Sequence, residues 1–101
     1  MEGILLEDLC YQAQQAAEKA LKALYLKRGV AFPFVHSLDL LLAGLEDLGL
    51  EIPDAIDQAT ILTRYAVETR YPGAYEPVTE AEYQEAIGFA EAILSWAEIT
   101  P

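Results

Sequence analysis

Apolar residues at three- and four-residue spacing run unbroken through residues 4–27, and this pattern dictates a long amphipathic helix. Leu5, Leu9, Ala13, Ala16, Ala17, Ala20, Leu21 and Leu24 carry the stripe. Gly29 ends it just past Lys27 and Arg28, whose charge suits a helix C-terminus. "VAFPFVH" reads as an extended connection, because Pro33 forces Phe32 out of the helical region. Ser37 is a good N-cap for a second helix through "LDLLLAGLEDL", which Gly49 closes. Pro53 and Asp54 open a third helix, with Ile56, Ala59, Thr63 and Val67 on one stripe, and it fails at the "YPG" of residues 71–73. Thr79 and Glu82 form a capping box for the last helix, from Glu80 to about Ala97. Its stripe is Tyr83, Ala86, Ile87, Ala90, Ile93 or Leu94, and Ala97. No strand pattern occurs. The expected fold is all-α, an up-and-down antiparallel bundle of four main helices in one domain over residues 1–101.

Charge restricts the partners. The chain has 17 acidic and 6 basic residues, net charge −11, whereas broad nucleic-acid binding needs many Lys and Arg contacts to phosphate. Any nucleotide or RNA contact must be local and built from few residues. Hydrophobic residues make up 53%, enough for a core, yet no run reaches the ~18 residues of a membrane span. The N-terminal "MEGILLEDLC" is acidic where a secretory signal would be basic, so the cytoplasm is the expected location. Cys10 has no second cysteine and falls at a core position, and His36 has no second histidine. The carboxylates are scattered, so neither metal nor cofactor is expected.

Residues 62–80, "LTRYAVETRYPGAYEPVTE", concentrate two of the three arginines and three of the six tyrosines. One reading is a solvated helix end, with Arg64 pairing with Glu68 and Arg70 as a C-terminal cation. The other is an anion site in which Arg70, Tyr71 and Tyr75 hold a phosphate or base, reached by Arg64 or by Lys19 and Lys22 of the first helix. Arg64 and Arg70, six positions apart, point to different sides of a continuous helix. Glu18 and Lys22 form an i,i+4 pair expected on a solvated face. Gln14 and Gln15 permit close helix approach or line a groove. His36 is expected to bond backbone or a nearby carboxylate.

"LCYQAQQAAEKALKALYLKRGV" (residues 9–30), "HSLDLLL" and "ILTRYAVETRYPGAYEPVTEAE" (residues 61–82) together resemble a prokaryotic HEPN domain, a similarity covering residues 9 to about 94. The resemblance implies a helical bundle that dimerises, often beside a minimal nucleotidyltransferase in a toxin–antitoxin pair. Many such domains are metal-independent ribonucleases with an Arg, four to six residues, then a His. At that place this sequence has Arg70 and then Tyr75, so no catalytic residue is assigned. In similar proteins another short helix precedes the "QQAAEKALKA" helix, and here it is largely missing. The first helix also has a second apolar side, Ile4, Leu6 and Tyr11, which a second chain could cover. A homodimeric binding module is therefore expected. The alternatives are a ribonuclease with a degenerate site using Tyr75 or His36, and a purely structural interaction domain.

Overall fold

The computed structural model describes residues 6–66 and 78–101. Among these residues the fold is all-α, with α1 at Leu6–Lys27, α2 at Leu38–Asp47, α3 at Asp54–Gln58, a 3₁₀ segment at Ala59–Tyr65 and α4 at Glu80–Ile99. The punctuation expected from the sequence sets the ends. Gly29, at φ 71°, closes α1. Its N–H bonds to Leu26 O and the Val30 N–H reaches back to Tyr25 O, both at 3.0 Å, which satisfies carbonyls left open by the helix end. Gly49, at φ 102°, makes the same closure after α2. Ser37 Oγ accepts from the Leu40 N–H at 3.4 Å. At α4, Thr79 Oγ1 accepts from the Glu82 N–H at 3.1 Å, and Glu82 Oε1 accepts from the Thr79 N–H at 2.9 Å.

The third helix differs from expectation. It is α-helical for five residues only and then tightens to 3₁₀ geometry. Thr60, Ile61 and Thr63 are β-branched and crowd an α-helical turn, and the Thr60 hydroxyl donates to Asp57 O at 2.7 Å. Burial then follows a period of three, at Ile56, Ala59 and Leu62, so Leu62 takes the inward place that a 3.6 period gives to Thr63. Val67 lies outside the described residues.

α1 packs most extensively along α4. Glu7 Oε2 accepts from the Val78 N–H at 2.7 Å at one end, and Lys27 Nζ donates to Thr100 O at 2.8 Å at the other. These two helices therefore lie side by side in the same direction. The intervening return along α1 is made by the extended 28–37 connection, where Gln14 Nε2 donates to His36 O at 3.0 Å. α2 then passes Tyr25, whose hydroxyl donates to Leu41 O at 2.7 Å. The 3₁₀ segment comes back past the start of α2, where Thr63 Oγ1 accepts from the Leu38 N–H at 3.0 Å. One contiguous core results, centred on Leu21, Leu24, Leu38, Leu41, Leu45, Leu62 and Ile93. Each such side chain contributes ~1.5–3 kcal/mol by leaving water. Ile93 is fully buried and Leu94 is 41% exposed, which resolves the inward position of α4. Cys10 is wholly buried. Burial, with the Glu7 and Glu82 carboxylates nearby, pushes its thiol up and keeps it protonated.

Candidate functional site

Arg70, Tyr71 and Tyr75 lie outside the described residues, as does Glu68, the expected partner of Arg64. The remaining candidates fall into two neighbourhoods. Arg64 lies in the last turn of the 3₁₀ segment, is exposed, and sets its guanidinium 6.0 Å from the Tyr65 ring centre. A shallow cleft here is lined by Tyr65 and Glu82, with Ile61 and Phe89 as apolar walls. Burial pushes the Tyr65 phenol up, so it stays neutral and can donate a hydrogen bond but cannot serve as a base near pH 7. The Thr79 capping bonds hold the Glu82 carboxyl below its ordinary range, and the Arg64 charge adds to this. An anion entering beside Arg64 must therefore outcompete or bypass Glu82.

Lys19 and Lys22 belong to α1, one turn apart. Lys19 is exposed. Lys22 is half-buried, donates to Glu18 Oε2 at 2.8 Å, and places its ammonium 5.1 Å above the centre of the Phe32 ring. The expected solvated Glu18–Lys22 face is not what forms, because Glu18 is only 4% exposed. Gln14, fully buried, donates to Glu18 Oε1 at 3.3 Å, and His36 Nδ1 lies 3.0 Å from Glu18 Oε2. Gln15 Nε2 donates to Gln14 Oε1 at 2.9 Å and so closes the network. Burial pushes the Glu18 carboxyl up, but the bonds from Lys22, His36 and Gln14 outweigh it and hold it below its ordinary range.

The sequence carried a signal for this network. Cys10, Gln14, Glu18, Leu21 and Tyr25 follow spacings of four, four, three and four, so two polar residues share the phase of the core stripe. His36, read as bonding to backbone or a nearby carboxylate, does bond a carboxylate, that of Glu18. Lys22 and Arg64 have different carboxylate neighbours, Glu18 and Glu82, so the described contacts do not gather the lysines and Arg64 into one cluster.

Other sites for an anion are poor. Asp39, Glu46, Asp54 and Asp57 line an open depression of about 360 Å³ between α2 and the start of α3, and their charges repel one. Among the described residues, no group of three or more His, Cys, Asp or Glu side chains is placed to hold a metal ion. Nor, among them, is any helix long and apolar enough to cross a membrane.

A family model described as HEPN domain matches residues 1–100. No curated protein and no solved structure matches the chain.

Proposed function

The chain belongs to the HEPN domain family, and from that membership we propose that it is a dimeric binding module that holds a nucleotide or RNA phosphate without cutting RNA. The anion is held by Arg70, with Tyr71 and Tyr75 as hydrogen-bonding or stacking walls and Arg64 at the margin. The observation that carries this reading is the exposed Arg64 guanidinium beside the Tyr65 ring, shortly before the chain enters residues 67–77, which carry Arg70, Tyr71 and Tyr75. Most of the chain's charge is negative, so an anion has few alternative partners. A separate, small nucleotidyltransferase, as in toxin–antitoxin pairs, is the proposed protein partner, and the cytoplasm is the proposed location. Arg70→Ala should weaken binding of a fluorescein-labelled RNA by ~1–3 kcal/mol, the range for a charge-assisted contact. Unchanged affinity with the fold intact would remove Arg70 from the site.

Homodimerisation through α1 is part of the proposal. Leu6 and Tyr11, on the second apolar side of that helix, are half-buried within one chain and leave area for a partner. Sedimentation equilibrium at micromolar concentration should return twice the chain mass, and a clean monomer would contradict this.

A second reading rests on one observation. Glu18 holds Nδ1 of the lone histidine while the His36 side chain stays 71% exposed, which leaves Nε2 open to solvent. A carboxylate-oriented imidazole of this kind can move a proton. Metal-independent RNA cleavage abolished by His36→Ala would favour this alternative.

A further inference from the structure

We propose that the face built from the 28–37 connection and the middle of α1 is a stacking site for single-stranded RNA, with Phe34 as its platform and Lys19 as its phosphate contact. The inference rests on the reading that this protein binds RNA, and it adds a contact on residues other than Arg70 and its neighbours.

Phe34 is 94% exposed, the most open large hydrophobic side chain among the described residues. Its backbone is held by local contacts. Pro33 precedes it, the Val35 N–H closes a tight turn onto Pro33 O at 2.9 Å, and Phe32 meets its ring edge-to-face at 5.8 Å and 71°. Phe32 in turn lies beneath the Lys22 ammonium. A ring with open faces suits a base, which stacks whatever its identity.

Charge favours the same stretch of the chain. Residues 9–38 carry four cations, Lys19, Lys22, Lys27 and Arg28, against the single carboxylate of Glu18, in a chain that is otherwise strongly acidic. Glu18 is buried, and its charge is already engaged by Lys22 and His36. Lys27 and Arg28 donate to Thr100 O and Pro101 O at the far end of α1. Lys22 is held between Glu18 and the Phe32 ring, so the exposed Lys19, one turn earlier on α1, remains to face a ligand. An acidic peptide would use Lys19 but would leave the faces of Phe34 bare. A nucleotide uses both.

The test is fluorescence anisotropy of the full chain with a fluorescein-labelled uridine decamer at fixed salt. Phe34→Ala should weaken binding about tenfold or more, with an unchanged circular dichroism spectrum. Lys19→Ala should weaken binding and flatten its salt dependence. Phe34→Trp should keep the affinity, and the unlabelled decamer should quench its added fluorescence. Wild-type affinity in Phe34→Ala overturns the inference, as does a glutamate decamer that competes as well as RNA. Binding lost in Arg70→Ala but kept in Phe34→Ala would retain the proposed function and reject this site. The opposite pattern would retain this site and reject Arg70 as the anchor. No binding by the wild-type chain would reject both.

Discussion

Gly44→Ala should destabilise the protein by about 3 kcal/mol, although alanine is normally the better helix residue by ~1 kcal/mol. Gly44 sits inside α2, where a Cβ would run into the Tyr25 hydroxyl and crowd its ring. Tyr25 is 3% exposed and donates to Leu41 O at 2.7 Å, so it has no free direction to retreat. The clash breaks that bond and strands a buried hydroxyl, at a cost of ~1–3 kcal/mol, and overpacking adds ~1–3 kcal/mol. For a domain of this size the melting temperature should fall by roughly 10–20 °C. Tyr25→Phe in the same chain removes the clashing oxygen, so the double variant should lose less than the two single losses added together. Strict additivity in thermal unfolding, measured at one protomer concentration, would contradict the contact.

Glu18→Leu should cost about 3 kcal/mol, because it leaves Gln14 fully buried without one of its acceptors and frees Lys22 and His36 from theirs. The loss stays below that of a fully buried ion pair because the His36 side chain is 71% exposed and screened by water. The pH dependence has a definite sign. The folded-state pKa of Glu18 lies below its ordinary value, so the stability from its charge is fully present above pH ~4.3 and is lost as pH falls through the lower folded value. The difference between wild type and Glu18→Gln should therefore shrink as pH drops below ~4. A gap that stays constant from pH 7 to pH 3 would show that the Glu18 charge does not contribute.

These two sites mark where sequence reasoning stops. The helix ends were legible because local chemistry sets them. Gly29, Ser37, Gly49 and the Thr79–Glu82 box each satisfy backbone groups within a few residues. The all-α character followed from periodicity. The 3₁₀ segment was not legible from a 3.6-residue stripe, because β-branched crowding at Thr60, Ile61 and Thr63 tightens the turn and shifts the inward place to Leu62. The shared direction of α1 and α4 depends on the extended 28–37 return, and the spacing of apolar residues says nothing about which way a neighbouring helix runs.

The site was legible in part. The Glu18–Lys22 pair and a carboxylate for His36 were both expected, but their union around a buried Glu18 depends on a contact spanning 18 residues. Gln14 and Glu18 share the phase of the core, and a polar residue at such a phase is the clue that points to it. Phe34 carried no periodic signal, since its exposure is set by the path of the connection on either side of Pro33.

Under the proposed function, the "TRYPGAY" segment should hold an anion without cleaving RNA. A tyrosine with a pKa of ~10 is phenolate in only about one molecule per thousand at pH 7, whereas histidine at ~6.5 can give and take protons there. With Tyr75 where similar ribonucleases place histidine, much of a proton-transfer contribution of ~10²–10⁴ in rate is forfeited. The direct test is to incubate purified wild type and Arg70→Ala with labelled structured and unstructured RNA in EDTA, and to follow both retention and cleavage. Wild type should retain RNA uncut, and Arg70→Ala should retain less. Metal-independent cleavage by the wild type that disappears in Arg70→Ala would contradict it.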